Sequence, residues 1–394
     1  MNPSATTWPS DHNAGGIYIH VPFCKSRCHY CAFVTNPYNP VLEERYTSSV
    51  TREMDLWSHG AAPGMIQGKF LVDSIYFGGG TPSLLRSDRI AKIIDACHAK
   101  FRVIAWPEIT IEVNPASSNR RALKNLLSAG VNRVSLGMQS LNDEELRRMG
   151  RPHNSSEAVS TFKDIRSAGF DNISVDLMAG FPGQSMNSFS HGLEQVLNLG
   201  PDHLSVYLFE LKEGTRTESL IRDGKEPACD DDLAADQYEH ICRVTKSAGY
   251  EHYEVSNFCL RGRRCSHNLK YWEDQIYFGF GPGAHGMTGR HRYSNMDAFN
   301  DYQQALLTNN LPFGVLTELT PLTRFKDALI MGSRLVGGLD LAVLGERYSV
   351  DAFAFVSETV GDLREAGLFV FEEDMMVLTP RGRLLSNQIF SRWV

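Results

Sequence analysis

The sequence predicts an α/β chain, either a barrel or a doubly wound sheet of parallel strands, followed by a small helical domain with a winged-helix outline. Three observations carry that expectation. Six short β-rich runs alternate with helical stretches, as βα crossover units require. Several of the helical stretches stop at glycine (Gly130, Gly169, Gly200, Gly249), where a left-handed residue can close a helix. Beyond about Asp297 the alternation gives way to helices and one hairpin pattern.

Taken in order, strands are expected over residues 17–23, 74–77, 108–113, 133–138, 172–178 and 203–209. Most are rich in Val, Ile, Leu and Tyr, the composition of parallel strands covered on both faces. Helices are expected over 88–100, 119–129, 143–149 with 156–168, 188–199 and 232–248. The Gly-, Ala- and Pro-rich stretch 58–69 reads as a loop. Past Asp297 helices are expected through Leu335, then two short ones over 340–348 and 351–366. A hairpin over 368–379, turning at 372–374, and a helix over 381–390 complete the chain. The expected domains are a flexible start (1–16), a core (17–250), an extension and connecting segment (251–317) and a C-terminal domain (318–394).

The net charge of −7 disfavours a general binder of nucleic acid or anionic membrane, since both surfaces repel an acidic protein. From Glu318 onward there are eight Lys and Arg against eleven Asp and Glu, so the winged-helix outline reads as a structural or partner-docking module, not a DNA reader. No apolar run reaches the length of a membrane span, and the polar start lacks a signal-peptide core, so a cytoplasmic protein is expected.

Five of the eight cysteines (Cys97, Cys229, Cys242, Cys259, Cys265) are dispersed, but Cys24, Cys28 and Cys31 crowd into eight residues. In a reducing compartment such crowding favours metal over disulfides. The spacing is C-x3-C-x2-C, directly after the first expected strand. Three thiolates can ligate three irons of a cubane cluster and leave the fourth without a protein ligand. Structural zinc needs four ligands; His29, adjoining Cys28, would strain the tetrahedron, and no second C-x2-C pair follows.

The triplet, its leading strand, the Gly78-Gly79-Gly80-Thr81-Pro82 turn and the run Cys265-Ser-His267-Asn-Leu-Lys-Tyr271-Trp272 resemble the radical S-adenosylmethionine (SAM) superfamily. More narrowly they resemble the branch holding oxygen-independent coproporphyrinogen III oxidase and the HemW haem chaperones. The resemblance runs from Tyr18 to about Phe390 and implies a partial (β/α)6 TIM-like barrel. It implies a [4Fe–4S] cluster whose open iron chelates SAM and passes an electron to its sulfonium, releasing a 5′-deoxyadenosyl radical.

The same resemblance implies where SAM sits. Tyr18, Phe33, the turn at Gly79, Gly80 and Thr81, and Glu112 at the end of the third strand fall at SAM-contacting positions. Gln139, Arg151 and Asp176 fall at positions lining a second SAM site in the oxidase-like branch, and Glu210 and the 279–285 loop (GFGPGAH) with His285 at further ligand-lining positions. Glycines let a backbone approach a ligand closely, and a carboxylate among apolar residues needs a partner.

Three activities share this layout. The oxidase resembles a C-x3-C-x2-C-x-C pattern with a long N-terminal extension, whereas this chain has Phe33 at the fourth position and seventeen residues before Tyr18. A radical methyltransferase or cyclopropanase shares the cluster and two-SAM layout. The HemW type is favoured by the missing fourth cysteine and the H-N-x-x-Y-W match. On that reading His267 or Cys265 would offer an axial ligand to haem, and Tyr271 and Trp272 aromatic surface to its face. The expected partners are a haem-acceptor protein and a reductant protein for the cluster.

Overall fold

A computed structural model describes residues 14–60, 70–115 and 117–394. The six core strands are β1 (Ala14–Val21), β2 (Leu71–Gly79), β3 (Arg102–Val113), β4 (Arg133–Gln139), β5 (Ile173–Ala179) and β6 (His203–Leu208). They lie side by side in that order, every pair parallel. Helices α1 (Leu42–Ser58), α2 (Ser87–Lys100), α3 (Arg120–Ser128), α4 (Asp143–Arg148), α5 (Ser155–Ala168) and α6 (Met186–Leu199) follow successive strands, and α7 (Arg216–Arg222) and α8 (Asp231–Ser247) follow the last. This is the expected partial six-repeat barrel.

The strands correct the expectation of two apolar faces. One face carries Ile17, Ile19, Ile75, Ile111, Val134, Leu136, Val175 and Val206, all buried in the main core. The alternate positions are polar: Tyr18, His20, Ser74, Tyr76, Thr110, Glu112, Ser135, Asp176, Ser205. Side chains alternate across a strand, so the apolar set packs under the helices and the polar set lines the barrel interior. The fold therefore leaves a polar lumen, which is what positions the site.

Helix α1 was not expected. It carries Tyr46, Val50, Met54 and Trp57 on one buried stripe with Glu43 and Glu44 in its first turn, the spacing and charge of an amphipathic helix. Of the loop expected over 58–69, residues 61–69 lie outside the described set, as do 1–13 of the expected flexible start; Ala14–Gly16 already belong to β1.

The extension is strand-rich. β7 (Glu251–Glu254) and β8 (Asn257–Cys259) continue the sheet beyond β6. After the short helix α9 (Ser266–Trp272), β9 (Tyr277–Phe280) pairs parallel with β1, and β10 (His285–Met287), β11 (His291–Asn295) and β12 (Phe313–Glu318) extend that edge antiparallel. The helices expected through Leu335 are thus α10 (Phe299–Leu307) and α11 (Pro321–Gly332), with β12 between them.

The C-terminal part has its own core around Phe325, Leu341, Val356, Phe369, Met376 and Trp393. α12 (Leu341–Tyr348) and α13 (Ala352–Glu365) precede a hairpin of β13 (Phe369–Glu372) and β14 (Met375–Leu378), a winged-helix-like arrangement that ends in two short helices. No helix among the described residues is long and apolar enough to cross a membrane.

Candidate functional site

The cysteine loop leaves β1 at its C-terminal end, the end where barrel active sites gather. Backbone bonds fix its first part: Gly80 N–H donates to Val21 O at 2.8 Å, Thr81 N–H to Phe23 O at 2.8 Å and Tyr38 N–H to Cys24 O at 2.8 Å. Its middle is tied to the loop after α4, where His29 N–H donates to Met149 O at 2.9 Å and the His29 Nδ1 pairs with Arg148 O at 2.9 Å. His29 is thus an anchor of the loop.

The three thiols are partly exposed and not disulfide-bonded. Burial pushes the Cys24 and Cys31 thiols up, and the neighbouring cysteines push them further. Cys24 and Cys31 thus sit where the ionised thiolate is disfavoured. Donors already face the sulfurs: Thr81 Oγ1 lies 3.7 Å from Cys24 Sγ and Arg151 Nη1 3.4 Å from Cys28 Sγ. The Phe33 backbone N–H bonds Cys31, while its ring is 66% exposed and contacts solvent.

Among the described residues, no three His, Cys, Asp or Glu converge on a point one ion could occupy. A donor set of three separated thiolates fits a cluster, in which each binds its own iron, better than a single tetrahedral ion.

Beside the loop, the glycine turn is tight against its neighbours. A Cβ on Gly79, whose φ is +109°, would lie 2.5 Å from the His20 ring, and one on Gly80 2.7 Å from Phe23 O. A Cβ on Gly78 would lie 2.9 Å from Glu112 Oε1 and 3.0 Å from each of Tyr18 and Tyr76. Glu112 takes hydrogen bonds from Tyr76 OH (3.1 Å) and Gly79 N–H (3.1 Å). Enclosure, and then the nearby Asp176, push its carboxyl up to about 7. Asp176 accepts from Ser135 Oγ at 3.0 Å, and enclosure raises its carboxyl too.

Arg151 joins these parts. Its guanidinium donates to Gly137 O at 2.7 Å and to Asn114, and Asn114 Nδ2 donates to Thr81 Oγ1 at 3.1 Å. Its Nε is buried without an acceptor among the described residues. Gln139 stands at φ 67°, a strained conformation for a residue with a side chain, at the end of β4. Cys24, Cys28, Cys31, Thr81, Glu112 and Arg151 are therefore gathered at one end of the barrel, with Tyr18 and Asp176 lining the lumen beneath them.

Two positions depart from that grouping. Glu210 is on the surface, paired with Lys212 at 2.7 Å. His285 is exposed at the start of β10, within electrostatic reach of His20. Sequence reasoning missed Tyr76, Asn114, Tyr30 and His20. Tyr76 shares the lumen face with Gly78 two residues on, and Asn114 follows Glu112 by two, so strand alternation could have found both.

The H-N-x-x-Y-W segment lies elsewhere. It forms α9, which closes the opposite end of the barrel. Glu108 takes the N–H of Ser266 (3.0 Å) and of His267 (3.1 Å), and Lys270 pairs with Asp73 at 2.6 Å. The His267 ring is buried, with Ser74 Oγ and Tyr271 OH each 3.0 Å from a ring nitrogen, and burial lowers its pKa to about 3. Cys265 is fully buried, its thiol pushed up to about 12. Trp272 packs on the Arg334 guanidinium, 5.5 Å from the ring centre. Both His267 nitrogens are thus engaged, and neither His267 nor Cys265, the two expected axial ligands, meets solvent.

Residues 18–196 match the radical SAM superfamily and residues 319–385 the HemN C-terminal domain. The chain is 32% identical to the haem chaperone HemW of Bacillus subtilis over 96% of this chain and 98% of that one. It is 34% identical to HemW of Mycobacterium tuberculosis over 95% and 93%. The structure resembles coproporphyrinogen III oxidase (HemN) of Escherichia coli with a TM-score of 0.82, over 97% of this chain and 90% of that one, at 24% identity, a likeness of fold. With the three-cysteine loop and the glycine turn at one barrel end, the chain belongs to the radical SAM superfamily and, within it, to the HemW family.

Proposed function

We propose that this protein is a haem chaperone of the HemW type, which binds haem and a SAM-ligated [4Fe–4S] cluster and passes haem to an acceptor protein. The observation that carries the reading is similarity to HemW proteins along nearly the full length. Phe33 where the oxidase resemblance asks for a fourth cysteine supports it. Cys24, Cys28 and Cys31 would hold the cluster, which when bound can supply an electron to the SAM sulfonium. Tyr18, the Gly79–Thr81 turn and Glu112 would hold SAM, with Gln139, Arg151 and Asp176 lining the neighbouring space. A reductant protein would serve the cluster. The acidic C-terminal domain would serve as a structural or partner-docking module.

Protein reconstituted anaerobically and titrated with haem, with and without SAM, tests this reading. One haem per chain, with 5′-deoxyadenosine assayed in the same samples, is the expected result. Methylation of an added acceptor with no haem bound would favour the methyltransferase instead.

A further inference from the structure

The barrel floor and the glutamate at its mouth are joined by one ring. His267 stacks on Tyr76, ring centres 5.2 Å apart and planes at 30°, and Tyr76 donates its phenol hydrogen to Glu112 at 3.1 Å. Tyr18 completes the group, 6.2 Å from Tyr76 and 6.4 Å from His267. A phenol held by one polar bond alone would rotate about its side-chain torsions; a ring packed against its face removes that freedom.

The His267 ring is itself over-determined. Ser74 and Tyr271 hold its two nitrogens, and Gly16 makes room for it, since a Cβ there would lie 2.8 Å from Nδ1. Burial and the adjacent Lys270 keep the ring neutral, so it offers Tyr76 a face with no charge to repel a ligand cation. The helix carrying it is fastened to β3 by Glu108 and, through Trp272 and Arg334, to the C-terminal domain.

We propose that His267 is a positioning residue for SAM: from the barrel floor it fixes the Tyr76 ring, whose hydroxyl in turn aims the Glu112 carboxylate at the ligand. The inference rests on the reading that Glu112 holds SAM. It gives the buried motif histidine a task that needs neither solvent access nor an iron.

The test uses full-length, cluster-loaded protein and calorimetric SAM affinity under anaerobic conditions, with the SAM-dependent change in the spectrum of the reduced cluster as a second readout. Tyr76→Phe, which keeps the stack and loses the hydroxyl, should weaken SAM about tenfold. His267→Ala and His267→Gln should weaken it by a similar factor, and the His267→Gln, Tyr76→Phe double variant by no more than Tyr76→Phe alone, because both act through one contact. His267→Gln can keep polar contacts to Ser74 and Tyr271, so it carries the test if the alanine variant does not fold. His267 variants that bind SAM like the unaltered protein, while Glu112→Ala does not, would overturn the relay alone. Unaltered binding in Glu112→Ala would overturn the underlying reading and the relay with it.

Discussion

Arg151 points one guanidinium nitrogen at Cys28 Sγ, 3.4 Å away, while the other donates to Gly137 O at 2.7 Å. A single planar cation thus ties the cysteine loop to the end of β4. Lysine is a point charge on a flexible stem and cannot make both contacts at once. Arg151→Lys should keep its iron but bind SAM about tenfold more weakly, read by calorimetry. Unchanged affinity would reduce Arg151 to a support of the loop.

Alanine at Cys24, Cys28 or Cys31 should each abolish the iron-dependent absorption of the reconstituted protein, measured with iron and sulfide content. Cys97 is buried in the core away from the loop, so Cys97→Ala should keep the cluster and lose about 1 kcal/mol of stability as a small buried group is deleted. Stoichiometric zinc without an iron chromophore would end the cluster assignment.

Glu53 on α1 is buried and takes hydrogen bonds from Gly281 N–H (2.9 Å), Asn295 (2.6 Å) and Tyr302 OH (2.6 Å); burial pushes its carboxyl up to about 8. The folded state thus holds its proton more tightly than the unfolded chain. That stabilisation is complete below about pH 4.5 and is lost as pH rises toward about 8. The apo protein's thermal midpoint should therefore fall between about pH 5 and about pH 8.5. Glu53→Gln should flatten that dependence in a melting series. An equally steep fall in the variant would assign it to other groups.

Asp274 receives both oxygens' worth of bonding from Arg324 (2.8 and 2.9 Å) and a bond from Tyr348. It joins the turn after α9 to the C-terminal domain. Asp274→Ala removes the carboxylate that the partly exposed Arg324 and Arg347 guanidiniums share, which should cost about 1–3 kcal/mol. Denaturant unfolding should show that loss, with the C-terminal domain melting first in hydrogen exchange. A loss within about 0.5 kcal/mol would mean the pair is not holding the domain.

Much of the fold was legible because βα repeats write their punctuation locally. Gly169 and Gly200 stand at left-handed helix ends where the sequence placed them, and the hairpin turns between Glu372 and Met375. The polar lumen was legible too but was read by composition, not by alternation: Ile17 and Ile19 face the helices while Tyr18 and His20 face inward. α1 was missed although its stripe Tyr46, Val50, Met54, Trp57 is regular. The place of His267 could not be read, because its contacts, Ser74 and Glu108, lie 193 and 159 positions away. A motif of histidine and aromatics looks the same whether it faces a ligand or plugs a barrel.

The most direct measurement supplies the anaerobically reconstituted protein with coproporphyrinogen III, SAM and reductant, and in parallel titrates it with haem. Stoichiometric haem binding with no conversion of coproporphyrinogen III is the result expected of a chaperone with Phe33 in place of a fourth cysteine. Formation of protoporphyrinogen IX would contradict it.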